Sequence, residues 1–567
     1  MERGCERRES SSTMAAATPV TGSRVLTKLT GLPAGSVWGE VSGLCRLAGP
    51  VVVSHLLIFS IGTVSAIFCG HLGKIELDAV ALATSVVNVS GMSVGVGLAS
   101  ACDTLISQTY GSKNLMRIGV ILQRGILILL IFCFPCWAIF INTELILLVF
   151  KQPPQVAKLA QHYVNILIPG LPAMFLFELE TKYLQNQGIV LPQICTGTVT
   201  NIFNAVINYL LLFVLDLGIQ GSAAANVVSQ YCQAIVLFVY IRWKKIHTPT
   251  WAGWSTDCLQ EWGQFMQLAV PSLFMLCIEW WTYEISIFLA GLVDEVELGA
   301  QNIIYQVLTT AYMVPLGYSV AASVRVGKAL GAQKPEEAKA AARVAMWCAG
   351  FTALVISVIL AAVKNVVGYI FTSDKEIIQL VSKLALLTAA YHFFDSMACV
   401  RTGILIGTGK QKLGAIANLI AFYLVGYPIG ISLMFAAKCG ILGLWSGLFV
   451  SVSLQAIFYQ VVISKINWNK ASDQALINAG VKSDGNSPSI TVSDCTEGDV
   501  TASVGETGSD AERERLIGDS CETLAPVTVG HLLPLKHLIL RRGLALLSAL
   551  IVLALGLVIH FTVETGT

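Results

Sequence analysis

Apolar residues in this chain fall into blocks of about 20 or more, each long enough to cross a hydrocarbon core about 30 Å thick as a helix. The blocks lie at 44–68, 78–107, 118–142, 160–185, 191–214 and 221–242, then at 264–290, 296–327, 338–363, 377–405, 412–436 and 439–464. This pattern predicts twelve spanning helices after a cytosolic tail over 1–43, grouped as bundles over 44–242 and 264–464. Residues 467–536 are rich in Ser, Thr, Gly and acids and too poor in apolar groups to offset the entropy of ordering, so they read as a disordered cytosolic linker. A last block, 538–562, opens with Arg541-Arg542 and reads as a thirteenth helix entering from the cytosol, which leaves the C-terminus outside.

Composition agrees with a polytopic membrane protein. Of 567 residues, 55% are hydrophobic and 13% charged, with mean hydropathy +0.70; soluble chains run nearer 25% charged. The net charge of +1, without basic runs among aromatics, gives no reason to expect nucleic acid as a partner. Met1 to Glu40 carries Arg3, Arg7, Arg8, Arg24 and Lys28 but no apolar core of signal-peptide length, which places the N-terminus in the cytosol. The loops agree, because those after even-numbered helices hold Lys113, Arg117, Arg242, Lys244, Lys245, Arg325, Lys328, Lys334, Lys339, Lys410 and Lys412. Odd loops hold only Lys74, Lys151, Lys158, Lys364, Lys375 and Lys438. The fifteen cysteines are scattered, many inside apolar blocks, and suit buried free thiols; Cys133-Phe-Pro-Cys136 has no second Cys or His pair nearby and reads as membrane packing.

Sliding the chain along itself by about 221 residues reveals a repeat. Leu47-Ala-Gly-Pro50 meets Leu268-Ala-Val-Pro271, Ile75-Glu-Leu-Asp-Ala79 meets Val296-Glu-Leu-Gly-Ala300, and Gln187-Gly188 meets Thr408-Gly409. One residue of drift adds Gly111 with Gly331 and Gly218-Ile-Gln-Gly221 with Gly440-Ile-Leu-Gly443. Six helices per copy is an even number, so the expected fold is all-α: two parallel six-helix bundles related by a pseudo-two-fold axis, plus a thirteenth C-terminal helix. A cleft between the halves is the natural solute path.

The repeat also separates scaffold from chemistry. Glu76 and Glu297 recur and read as helix-end structure. Glu279, Glu284 and Asp395 do not recur, their counterparts being Ile58, Thr63 and Met174. All three lie inside apolar blocks, where an ionised carboxylate costs several kcal/mol unless paired, solvated or protonated. A carboxyl withdrawn from water is a candidate proton carrier. Glu279 and Glu284 are about 140° apart on a straight helix and cannot both face one ligand, although Pro271 could bend it. Trp280, Trp281, Tyr283, Tyr305 and Tyr312 surround these acids in sequence, and aromatic faces attract a desolvated organic cation by about 0.5–2 kcal/mol each. Trp280 and Trp281 also fit an interfacial belt. In the first half, His55 is a candidate titratable group. Asp103 reads as a structural or gate residue, and Glu178 and Glu180 as solvated near a helix end.

No GxxxxGK[ST] loop is present, so transport would draw on an ion gradient or on the solute's own. Rival readings are a flippase for lipid-linked anions, which would favour basic cavity residues, a membrane transferase, which would need a clustered nucleophile, base or metal, and a channel.

The strings Phe68-Cys-Gly-His-Leu-Gly73, Ala101-Cys-Asp-Thr-Leu-Ile-Ser-Gln-Thr-Tyr-Gly111, Gln187-Gly-Ile-Val-Leu-Pro192, Glu279-Trp-Trp-Thr-Tyr-Glu284 and Ser323-Val-Arg-Val-Gly327 resemble the vertebrate multidrug and toxin extrusion (MATE) family, over about residues 42–470 plus the last helix. The resemblance implies an antiporter that exports small organic cations in exchange for protons, in kidney-type or liver-type epithelia or in other tissues. The expected site is the plasma membrane, apical where the tissue is an epithelium, with the protein functional as a monomer and without cofactor or metal. It carries cavity roles onto Glu279, Glu284 and Asp395, the last in place of a more usual Glu. It also implies that Gln306, after Tyr305, stands where Glu is usual and that His55 stands where Gln is expected. Gln accepts a hydrogen bond but carries no proton, so one half gains a titratable group as the other loses one.

Overall fold

The computed structural model describes residues 34–481 and 533–564, and no strand occurs among them. Among the described residues, thirteen helices are long and apolar enough to span a membrane. The first half holds α1 (Val37–Gly70), α2 (Ile75–Gly111), α3 (Leu115–Ile141), α4 (Pro154–Gln187), α5 (Leu191–Val214) and α6 (Gly218–Trp243). The second holds α7 (Trp262–Gly291), α8 (Glu295–Gly331), α9 (Pro335–Ala362), α10 (Lys375–Gly407), α11 (Gln411–Ala436) and α12 (Ile441–Ser464). Two helices follow, α13 (Trp468–Asn478) and α14 (Leu535–Glu564).

Several helices run past the apolar blocks that announced them. Helix α1 already contains Glu40, inside the segment read as a tail, because Glu40 is ion-paired to Arg325 of α8. The linker reading is corrected at its start: Asn467 caps α13 by accepting a hydrogen bond from the Lys470 N–H at 3.1 Å. Ala471, Ala475 and Leu476 of α13 are buried. The rest of that stretch, 482–532, lies outside the described residues, as does 1–33.

The repeat is written in the backbone. Left-handed residues recur at equivalent bends: Lys113 with Gln333, Gly188 with Gly409, Asp216 with Lys438, and Gly218 with Gly440. At Gly188 and Gly409, φ is 87° and 73°, a conformation that ends α4 and α10 and that costs glycine nothing. The π-helical turns that close α5 and α11, Leu210–Val214 and Ser432–Ala436, are likewise equivalent. Glu297 has the structural role expected of it, accepting the Ile441 N–H at the start of α12 at 2.6 Å.

The halves meet along two pseudo-equivalent seams. Helix α7 runs antiparallel to α2 along its length: Leu273 lies against Gly97, Cys277 against Ser93, and Glu284 against Ser85. The α1–α8 seam pairs Glu40, Gly43 and Val52 with Arg325 and Gly317. Beyond it the C-terminal half of α1 turns to its own bundle, with Leu57 on Gly197 and Ser65 bonded to Asn226 at 2.8 Å. At the end where α2 and α8 finish, Thr104 donates to the Ile406 carbonyl at 2.6 Å, Gln108 to that of Gly407 at 3.0 Å, and Asn478 of α13 to Gln108 at 2.8 Å. That end is closed by polar clasps between the halves.

Candidate functional site

Helix α7 is apolar around the acids, so the direction in which each one points is fixed by the helical period. Glu279 is 8% exposed and turns into the second half, where Tyr312 of α8 donates to its Oε1 at 3.2 Å. Asp395 of α10, 6% exposed, lies near enough to Glu279 for the two carboxyl groups to interact electrostatically. One turn on from Glu279, the Tyr283 hydroxyl meets that of Tyr391 at 2.7 Å, and its ring lies 5.9 Å from that of Tyr305. Tyr391 is buried edge-on against Trp445 at 5.1 Å. The indole N–H of Trp445 in turn donates to Gln301 at 2.9 Å, which fixes the ring plane.

Glu284 points elsewhere, as its 140° offset requires. It accepts from Ser85 of α2 at 2.7 Å and so bridges the two halves. Trp281 also faces α2, its indole N–H donating to the Val89 carbonyl at 3.0 Å, while Trp280 is half-buried. Gln306 is half-buried beside Tyr305. Two of the three acids, together with Tyr283, Tyr305 and Tyr312, therefore share one region of the second half. His55 does not join them. It lies in the first half near Lys182, with Nε2 enclosed and lacking a hydrogen-bond partner.

Glu178 is not the solvated group expected. It pairs with Lys182 at 3.5 Å, and Lys182 pairs with Asp103 at 3.1 Å. Glu180 likewise has one carboxyl oxygen, Oε2, enclosed without a hydrogen-bond partner. Lys182 and Tyr391 were missed by the sequence reading; Lys182 looks like a helix-end residue, and Tyr391 had as its only signal its position four residues before Asp395.

Ion pairs among the described residues join Arg117 and Arg124 to Glu261, Lys182 to Asp103 and Glu178, Arg325 to Glu40, and Lys334 to Glu337. None includes Glu279, Glu284 or Asp395. Buried carboxyls without a cationic side chain must be neutralised by a proton or by a ligand's charge. The described residues hold no cluster of His, Cys, Asp and Glu fit for a metal ion.

Comparison with known proteins places this geometry. The MatE family pattern matches twice, over 50–210 and 271–431, which is the internal repeat at its own offset. The chain is 53% identical over 531 residues to multidrug and toxin extrusion protein 1 of Danio rerio, spanning 92% of this chain and 90% of that one. It is 50% identical to protein 1 of Homo sapiens over 93% of this chain and 94% of that one. In three dimensions it resembles the crystal structure of the eukaryotic MATE transporter AtDTX14, with TM-score 0.76, 30% identity, and coverage of 78% of this chain and 99% of that one. A duplicated six-helix half, acids and tyrosines gathered in the second copy, and full-length relatives of this kind lead to one conclusion: the chain belongs to the MATE family of multidrug and toxin extrusion transporters.

Proposed function

We propose that the chain is a proton-coupled antiporter that exports small organic cations by alternating access. The observation that carries this reading is the Glu279–Asp395 pair, buried among Tyr283, Tyr312 and Tyr391 with no cationic side chain paired to it. A proton or an organic cation can supply missing charge, and protonation of either carboxyl removes negative charge that would hold the cation, so the two compete for the pair. The rings offer quadrupoles to a poorly hydrated cation, which favours organic cations over strongly hydrated metal ions. Exchange of one proton for one monovalent cation moves no net charge, so the pH difference drives it at about 1.4 kcal/mol per unit.

With Lys and Arg concentrated at the clasped end, that end is cytosolic, and the clasps close the cytosolic side between the halves. A cytosolic N-terminus, an outer C-terminus, residence in the plasma membrane and activity as a monomer complete the proposal.

Uptake of labelled tetraethylammonium into expressing cells, with and without an outward proton gradient, tests it. The gradient is expected to stimulate uptake by the wild type and to have no effect on Glu279→Gln. Gradient-independent uptake by the wild type would overturn proton coupling and turn attention to sodium.

A further inference from the structure

The second half presents acids that await a cation, whereas the first half holds acids that already have one. On α4, Glu178 and Lys182 stand one helical turn apart, with Lys182 Nζ 3.5 Å from Glu178 Oε1 and 3.1 Å from Asp103 Oδ2 on α2. Asn186, a further turn along, donates from Nδ2 to Asp103 Oδ1 at 2.9 Å, and its own Oδ1 is enclosed without a hydrogen-bond partner. Lys182 and Asp103 are 7% and 6% exposed.

This group is not required by the repeated scaffold. The counterparts of Asp103, Glu178 and Lys182 are Ser323, Cys399 and Gly403. Gly403 lets α10 rest directly on the Ser319 backbone of α8, where any Cβ would collide. In the first half, α4 and α2 are instead joined through the charged side chains. Cys399 lies one turn beyond Asp395 and beside Tyr312, so Glu178 sits about one turn, and Lys182 about two turns, from the depth at which the second half displays Asp395.

Two carboxylates held on neighbouring helices, one of them oriented by the Asn186 amide N–H, form a ligand set for a small monovalent cation. Left empty, such a set would be prohibitively costly to bury. We infer that the first half contains a monovalent-cation site permanently filled by the ammonium of Lys182, a tethered ion in the half-molecule opposite the one that admits a free ion. The tether has a consequence for transport: the solute cation is excluded from the first half, and exchange is confined to the second.

Chemical rescue tests this. Wild type, Lys182→Ala and Lys182→Ala/Asp103→Asn are purified in detergent. Their thermal unfolding midpoints are then measured in methylammonium chloride, in sodium chloride and without added salt. Tetraethylammonium uptake by each is measured in vesicles under the same conditions.

Methylammonium, which reproduces the lost end of the side chain, is expected to raise the Lys182→Ala midpoint by several degrees beyond any effect on wild type and to restore uptake severalfold. The double variant, lacking the acid, is expected not to respond. A folded Lys182→Ala that responds to no small cation beyond wild type overturns the proposal, as does an equal response in the double variant. Recovery of Lys182→Ala only when methylammonium is present throughout purification supports it. Recovery under neither condition overturns it, since a true ion site would accept the free amine. The midpoint needs no transport, so failure of the proton-exchange reading would leave this result interpretable.

Discussion

At the scale of the residue, the site rests on one hydrogen bond and one repulsion. Tyr312 steadies the Glu279 carboxylate at 3.2 Å, while Asp395 opposes its charge. A hydrogen bond to a charged group contributes about 1.5–3 kcal/mol. Tyr312→Phe should therefore lower uptake of subsaturating tetraethylammonium roughly tenfold or more. Initial rates across a concentration series check this, and an unchanged curve would reduce Tyr312 to packing. The acids were legible because an ionisable group inside an apolar block stands out against its neighbours. Lys182 was not, since Glu178-Leu-Glu-Thr-Lys182 has the composition of a helix end at a membrane surface. Only the arrival of Asp103 from another helix makes it a buried pair, and a contact between distant positions leaves no trace in a single sequence.

At the scale of the element, the α2–α7 seam depends on the absence of a side chain. A Cβ on Gly97 would come within 2.6 Å of the Leu273 Cα, whereas one on Gly49 of α1 would meet nothing within 4 Å. Gly97→Val should destabilise the protein by about 1–3 kcal/mol through overpacking, while Gly49→Ala should leave stability unchanged or raise it by up to about 1 kcal/mol through helix propensity. Denaturation midpoints of the two variants in detergent distinguish these outcomes. Apolar blocks announced the spans but not their ends, because Glu76, Glu295 and Lys328 extend helices past the point where hydropathy falls. Helix α13 was overlooked for the same reason: its polar face outweighs Ala471, Ala475 and Leu476 in any window average, although Asn467 supplied a start signal. The π-helical turns had no signal in the sequence that was recognised.

At the scale of the whole molecule, α14 is an attachment rather than a pillar. It packs on α3, where Asn142 donates to the Gly556 carbonyl at 2.9 Å and Gly556 sits against Ala138. Its other anchor is Arg542, over the Trp262 ring at 4.3 Å and bonded to the Leu259 carbonyl. None of these groups touches the second-half acids. A chain ending at Val481 should therefore retain gradient-driven tetraethylammonium uptake while unfolding at a lower temperature; loss of uptake by a chain that still folds and reaches the membrane would show that α14 takes part in transport.

The two seams between the halves are equivalent by symmetry but unequal in extent. A joint fastened along one edge and released along part of the other behaves as a book bound on one spine, with α2 and α7 as the binding. If the halves swing as rigid boards about that binding, the opening formed would be a slot on one flank rather than a central funnel. A solute leaving through such a slot would pass beside the acyl chains of the bilayer, so its partition into lipid, as well as its fit to the tyrosines, would bear on its release.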